Sequence, residues 1–535
     1  MNIYILENKI KNLLKKNLDK KSYLEISNKL KFFLIKDEKL GDYSTNLIFL
    51  LNKYVPHKKN EILEKIKKNL QNEFEKLEII NNYLNFYLSK YIFLKTFRDF
   101  AKKGNDFFKK SYGRNQKVNI DYVSANPTGP LTLGNARGAV LGDTLANILK
   151  ICGFKVTKEY YVNDRGGQIE KLGKTVLAYL NLIPWEKDLY QGSYLKEIAL
   201  KFKKYEKLKN NPQKLGKKIS DYILKFLIKP TLKKFKTFHD IYIFESHLYK
   251  GNLKNKVLNI LKKQKLLQQK EGALFLLLTK LGKTKDEVLI KQNGEPTYFF
   301  SDILHYFYKF LIKKSKIDIL IVASDHLDHT RRLKSALKIF KIKDFQFQPI
   351  VYQFLHIKQR NEILRMSKRR GVFITLEELM KEIHSDIIRF FFLQKSPEMI
   401  IEFNLELAKQ HSQDNPYWYV QYAYARLKNI IKKSKMKNFK EFDPQKIFLE
   451  IEKSENLLSL VKSIHKFQDL IYLIYQDKKV HLITEFLIET AKKIHLLYEK
   501  EKILPYPKRV AFIYYLTKFL LFVFSLINIE AIEKM

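Results

Sequence analysis

The stretch SANPTGPLTLGNARGAVLGD (124–143) holds Gly129, Gly134, Gly138 and Gly142, four of only 18 glycines in 535 residues. Gly134, Gly138 and Gly142 recur every fourth residue, which lines one face of a helix. A face without side chains admits close approach, by a ligand or by a neighbouring helix or strand. Free N–H groups and the dipole at a helix start favour an anion. A nucleotide with its phosphates at the start and its base on the glycine face satisfies the pattern, and so does tight protein packing. The spacing is neither that of a P-loop nor G-x-G-x-x-G. A second stretch, RMSKRRG (365–371), sets Arg365, Lys368, Arg369 and Arg370 among Ser367 and Gly371. Such a basic, mobile loop suits a triphosphate whose charge must be stabilised as it leaves; as composition alone it reads rather as a solvated loop. DHLDH (325–329) offers acids and histidines that could be read as a metal cluster.

These groups need a scaffold. VNIDYV, KVTKEYYV (155–162), IDILIVAS (317–324) and FQPIVYQFL (347–355) are short runs rich in β-branched and aromatic residues, several separated by helical segments. The alternation predicts βαβ units and a parallel sheet, with ligands beyond the carboxyl ends of the strands. The polar clusters Ser124–Asn126, Asn163–Asp164 and Asp325–His326 fall there. A helix is expected over roughly 135–150. After about Ser396 the strands stop, and 415–433, 456–474, 482–498 and 510–528 carry apolar residues at helical spacing, predicting an all-α bundle as a separate C-terminal domain. Residues 1–110 mix helical periodicity with a turn at 40–46, and the pattern loosens near 102–115 as a linker would.

Lys+Arg outnumber Asp+Glu by 44, which points to a polyanion such as nucleic acid. The abundance of Lys, Asn, Ile, Phe and Tyr also marks an A/T-rich coding bias, which accounts for part of that charge. Against 87 Lys there are only 13 Arg, so a retained Arg suggests that a planar fork is needed. Arg137, Arg365, Arg369 and Arg370 all lie in the two segments above. The single cysteine, Cys152, excludes an intrachain disulfide and fits a reducing cytosol. The first residues interrupt apolar positions with charge and are no signal peptide. The run 510–528 approaches membrane-span length, but Lys518 near its middle would cost ~2.5–3.5 kcal/mol on insertion scales. It reads as the buried last helix of the bundle.

Together the two segments resemble the signatures of class I aminoacyl-tRNA synthetases, and the whole chain resembles the bacterial-type arginyl-tRNA synthetase family. The resemblance runs through GDYSTN (41–46), DYVSANPTGPL (121–131), EYYVNDRGGQI (159–169), YQGSYL (190–195), EGALFL (271–276), GEPTYFFSDI (294–303), RMSKRRGVFITLEEL (365–379), DNPYWYVQYAYAR (414–426) and IEAIEKM (529–535). It implies a multidomain α/β chain. An N-terminal α+β tRNA-contacting domain spans 1–110, a Rossmann-type catalytic domain 116–385, and a helical anticodon-binding domain 400–535. It also implies arginyl-adenylate formation from ATP and L-arginine, then transfer to tRNA(Arg), in a cytoplasmic monomer with no membrane contact. Mg2+ arrives with ATP rather than at an all-protein metal site.

By the same resemblance, Asp302 and Tyr298 recognise the guanidinium, while Asp121 and Asn126 hold the amino acid end. Lys368, with Ser367 and Met366, stabilises pyrophosphate. Pro127, Gly129, Gly134, Arg137, Gly138, Asp325 and His326 complete the ATP site. The chain departs from the family at Thr132 and Asn135, which stand where histidines donate to the phosphates. Losing one such donor costs on the order of 3 kcal/mol, about 10² in rate, and a poorer donor less. The expectation is a slow but functional enzyme. The alternatives are a degenerate homologue that binds tRNA without charging it, or another class I synthetase. Milder departures are Leu304–His305, where a small residue and Tyr are favoured, Asn404 for Asp, and Arg365 for Lys.

Overall fold

The computed structural model describes residues 1–533 except 36, 283–284, 341–344, 360–361 and 365–373. The β-branched runs become one five-stranded sheet whose strands all run parallel. Across it lie Gln346–Tyr352, Ile317–Ala323, Lys117–Asp121, Lys155–Val162 and Ile241–Phe244. The first three are in register through Gln346, Ile317 and Val118. Strand order reverses between Lys117–Asp121 and Ile317–Ala323, the kind of switch point where a crevice opens beyond the carboxyl ends. Asn126, Asn163, Glu245, Asp325 and Phe354 all follow closely on strand ends along that edge.

Two details differ from the sequence reading. The run 347–355 is not one strand: it stops at Tyr352, and Leu355–Gln359 begins another. Nor do strands end near Ser396, because Ile401–Asn404 pairs in parallel with Leu355–Gln359. The break at Gln353–Phe354 has a cause in Arg137. Its guanidinium, wholly buried, donates to the carbonyls of Gln353 (2.6 Å), Phe354 (3.3 Å), Ser396 (2.9 Å), Pro397 (3.4 Å) and Met399 (2.8 Å). The Gln353 carbonyl is thereby turned to a side chain, while the Phe354 carbonyl also accepts from the Ile401 N–H (3.3 Å).

The helix Leu133–Ile151 begins on Thr132 as N-cap and packs into the sheet through its small residues. A Cβ on Gly142 would stand 2.4 Å from the Tyr122 ring, and one on Gly138 would stand 2.9 Å from the Tyr352 hydroxyl. One turn beyond Gly138, Asp143 is fully buried between Lys158 Nζ (2.6 Å) and Arg389 (2.9 Å). Arg389 also donates to the carbonyls of Ile527 (3.0 Å) and Phe235 (2.9 Å).

The chain divides into two compact units: Lys110–Tyr417 with Leu526–Ile529, and Met1–Lys109 with Trp418–Ser525 and Glu530–Met535. The second joins the N-terminal segment to the C-terminal helices. Its antiparallel sheet runs Phe32–Leu34, Tyr43–Thr45, Tyr83–Leu88, Phe74–Ile80. GDYSTN is structural there: the Tyr43 hydroxyl donates to Asp469 (2.8 Å) and meets His465 Nε2 (2.8 Å) on the helix Glu455–Asp477. The apolar helix Pro507–Leu526 is 72% buried over its most hydropathic window. Phe512, Phe519 and Phe522 meet the rings of Phe97, Phe100 and Phe108, while Lys518 is exposed.

Candidate active site

After the strand Lys117–Asp121 the backbone turns with positive φ at Val123 (68°) and Ser124 (35°). A β-branched residue at positive φ is strained, and strain persists only where surrounding bonds impose it. Ser124 Oγ donates to Asp121 Oδ1 (2.5 Å) and accepts from the Tyr161 N–H (2.9 Å), and the Tyr160 hydroxyl donates to the Ala125 carbonyl (2.7 Å). The turn delivers Asn126, which accepts from Asn163 Nδ2 (2.6 Å) and donates to Gln168 Oε1 (2.7 Å). The backbone amide of Gln168 reaches the Tyr298 hydroxyl, whose ring is 47% exposed.

Two acids lie near enough to Tyr298 and to each other to feel one another's charge. Asp302, one turn along the helix Tyr298–Phe307, bonds His329 Nε2 at 2.5 Å. Glu245 follows the strand Ile241–Phe244 and is 3% exposed; Ser301 Oγ donates to its Oε1 (2.7 Å), and Oε2 has no hydrogen-bond partner among the described residues. Burial pushes the Glu245 carboxyl up to about 7; Ser301 and the Arg165 guanidinium oppose this, and Asp302 and Asp164 add to it. Arg165 itself lies 3.9 Å over the Tyr249 ring, whose hydroxyl bonds Ser301 (2.7 Å). Two carboxylates and a phenol around an unsatisfied buried oxygen form a corner that fits a guanidinium, which bonds carboxylates through a planar fork. Sequence reading named Asp302 and Tyr298 for the guanidinium and did not name Glu245, which the structure places beside them. Its signal was weak: IYIF (241–244) is a four-residue strand, and Glu245 is marked only by standing at its end.

Asp121 is placed differently from expectation. Its carboxylate is 3% exposed, held by Ser124 and by Lys309 Nζ at 3.3 Å. Lys309, equally buried, also pairs with Glu159 (2.9 Å) and Asp318 (3.1 Å). Burial raises the Asp121 carboxyl and pushes Asp318 up to about 6; burial would raise Glu159 too, but Lys309 and His305 hold it down at about 2. Asp121 is thus committed to an internal ion cluster, and Asn126 is the member of the pair left at the rim. Asp121, Glu159 and His305 bring ligand atoms within 4.8 Å of one another. The Lys309 ammonium already sits among these carboxylates, so a cation there would face its repulsion. The His and Asp of 325–329 disperse likewise: Asp325 and His326 are exposed at the strand end, and His329 turns to Asp302.

At the helix start, Thr132 and Asn135 bond each other. Asn135 Oδ1 accepts from Thr132 N–H (3.0 Å) and Oγ1–H (2.8 Å), and Thr132 Oγ1 accepts from Asn135 N–H (3.4 Å), a capping box. The Thr132 hydroxyl proton is used internally. Asn135 Nδ2 and the Gly134 N–H make no hydrogen bond among the described residues. Of the three helical glycines only Gly134 has room for a side chain, a Cβ there standing 3.7 Å from Thr132 Oγ1, while Tyr352 covers Gly138 and Tyr122 covers Gly142. A Cβ on Gly129 would stand 2.6 Å from the Tyr194 hydroxyl, beside buried Pro127. Arg137, expected at the nucleotide, is spent on carbonyls. The open part of the glycine stretch is therefore its first turn.

Met366, Ser367 and Lys368, with Arg365, lie outside the described residues. The residues that follow are fastened to the helix start: Thr375 bridges Thr132, and the Leu376 N–H donates to the Leu131 carbonyl (2.9 Å).

A doubly wound sheet, an anion-ready helix start and an acidic corner at one carboxyl edge match a known class. A family model for tRNA synthetases class I (R), catalytic domain, matches residues 99–404; models for the DALR anticodon binding domain and the arginyl tRNA synthetase N terminal domain match 420–535 and 8–88. The fold matches that of Thermus thermophilus arginyl-tRNA synthetase, TM-score 0.79 at 19% identity over 100% of both chains. An arginine–tRNA ligase of Caldanaerobacter subterraneus subsp. tengcongensis is 33% identical, covering 88% of this chain and 86% of its own. That of Aquifex aeolicus is 32% identical, covering 89% and 90%. The chain belongs to the arginyl-tRNA synthetase family and is a class I aminoacyl-tRNA ligase.

Proposed function

We propose that the protein joins L-arginine to ATP, giving arginyl-adenylate and pyrophosphate, and passes the arginyl group to the terminal ribose of tRNA(Arg). The observation that carries arginine as substrate is the pair Asp302 and Glu245, the latter with an unsatisfied buried oxygen. Tyr298 flanks the guanidinium, and Asn126 holds the amino acid end, with Asp121 supporting the turn from within. ATP lies along the carboxyl edge between the first turn of Leu133–Ile151 and the exposed Asp325–His326. Lys368 serves the departing pyrophosphate, aided by Ser367 and Met366. Mg2+ accompanies the phosphates of ATP. Residues 1–110 and 400–535 carry the tRNA contacts, and 116–385 the chemistry. The protein acts in the cytoplasm as a monomer, without a membrane.

ATP–pyrophosphate exchange tests this reading. Exchange that depends on arginine and on added tRNA supports it. Tight tRNA binding with no exchange under any condition supports the non-catalytic alternative, which the mutual capping of Thr132 and Asn135 favours. Exchange driven by a different amino acid sinks the substrate assignment.

The capping box also sets the rate. The cap consumes the Thr132 hydroxyl proton and leaves only the neutral Asn135 Nδ2, so the phosphates meet fewer and weaker side-chain donors. Thr132→His with Asn135→His is expected to raise the rate of adenylate formation, by at most about 10² per donor restored. It should also lower stability by ~1 kcal/mol, because the N-cap bonds are lost. Single-turnover adenylate formation and a melting curve read the two effects separately. A double variant no faster than its parent means that these two positions do not limit the chemistry.

A further inference from the structure

We infer that His329 is a positioning residue for arginine capture, which draws Asp302 away from the substrate guanidinium when the imidazole is protonated and presents it when neutral. This rests on the arginine reading above. The contact is direct: Nε2 lies 2.5 Å from Asp302 Oδ2. The ring is 29% exposed, so protons reach it from solvent, and Asp302 is itself only 24% exposed. Neutral His329 can donate Nε2–H to Oδ2 and hold the carboxylate in place with its charge intact. Charged His329 forms an ion pair and cancels the charge that the guanidinium needs.

The groups that face His329 come from three elements. Asp302 stands on the helix Tyr298–Phe307, where Phe299 also meets the ring edge-on at 5.9 Å. Glu287 stands on the strand Glu287–Ile290 and is bonded by Arg332 (2.7 Å), which lies on the helix of His329 itself. The bond to Asp302 chiefly raises the His329 pKa above its ordinary value; burial and Arg332 oppose it, and Glu287 adds a smaller upward push. The ring therefore keeps its proton to a higher pH than an ordinary imidazole does. Arginine and the proton compete for one carboxylate, so arginine binding releases a proton and the KM for arginine falls as pH rises through the His329 pKa. Each pH unit below that pKa raises KM by up to about tenfold. Glu245, up to about 7 in the same corner, bends the profile in the same direction. The difference between wild type and a His329 variant isolates the imidazole.

The test is the KM for arginine in ATP–pyrophosphate exchange, with tRNA present, from pH 6 to pH 8.5. His329→Gln keeps a donor near Asp302 but cannot charge. Its KM is expected to lie several-fold below that of the wild type at the acid end and to converge with it at the alkaline end, with kcat changed little. A variant whose KM tracks the wild type at every pH, or is raised evenly across the range, overturns the inference. His329→Asn, which is too short to hold the same bond, should show the same loss of pH dependence with a uniformly higher KM; retention of the wild-type slope overturns the inference equally. If the wild type shows no arginine-dependent exchange at any pH, the activity reading fails, and the His329 ring is followed by NMR with added arginine. A pKa that falls on arginine binding supports the inference, and an unchanged one sinks it.

Discussion

Asp302→Asn is expected to lower kcat/KM for arginine in ATP–pyrophosphate exchange by about 10²–10³, corresponding to ~3–4 kcal/mol of lost transition-state stabilisation. The substitution keeps the shape of the side chain and removes its charge, leaving a bound guanidinium facing an amide and the single acid Glu245. Most of the loss should appear in KM, because the guanidinium is remote from the reacting carboxylate and binds both ground and transition states. The melting temperature should change little, since the carboxylate's one close partner among the described residues is His329 and both are part-exposed. Glu245→Gln gives a smaller loss whose size depends on pH. Glu245 titrates near 7, so the wild type and variant converge below that value, where both are neutral, and diverge above it. A loss of less than fivefold in Asp302→Asn would remove the acidic corner as the arginine site.

The largest effect on stability is expected at Asp143. Its carboxylate is fully buried and is shared by Lys158 (2.6 Å), Arg389 (2.9 Å) and Asn528 Nδ2 (2.5 Å). Asp143→Ala leaves two cations and an amide without their acceptor, and breaking a buried pair in this way costs about 3–5 kcal/mol. Arg389 retains its carbonyl partners, which keeps the figure from rising further. Urea unfolding of the full chain measures it. Lys158→Met, which removes a cation and leaves Asp143 paired with Arg389, should cost distinctly less. Equal losses in the two variants would mean that the lysine, not the arginine, is the principal counter-ion.

The sequence made the frame legible because periodicity survives any amount of surface drift. The helices 415–433, 456–474, 482–498 and 510–528 lie within a few residues of observed helices, and four of the five central strands stood out as β-branched runs. Among the missed strands, Ile241–Phe244 and Ile401–Asn404 are four residues long, too short for alternation to show. The glycine pattern was correctly read as a close approach but not by what. Tyr122 and Tyr352 come from distant positions, and only the tertiary fold shows that they fill two of the three gaps. Asp121 misled for a related reason. Nothing local announces that Lys309 folds back beneath it, and desolvation then commits the acid to an internal pairing. Thr132 and Asn135 were read only as departures from the expected histidines. That they are the right residues for a helix cap follows from their three-residue spacing, a signature the search for phosphate donors passed over.

Arg137 and Arg389 are the two largest side chains with essentially no exposure, and each uses its fork to hold several main-chain oxygens at once. Lysine, the common cation of this chain, has a single ammonium that cannot span those acceptors. The catalyst is thus built from the amino acid it supplies, at two places where a substitute would loosen its interior. A cell that runs short of charged arginine and misreads those codons makes defective copies of the very enzyme that would relieve the shortage.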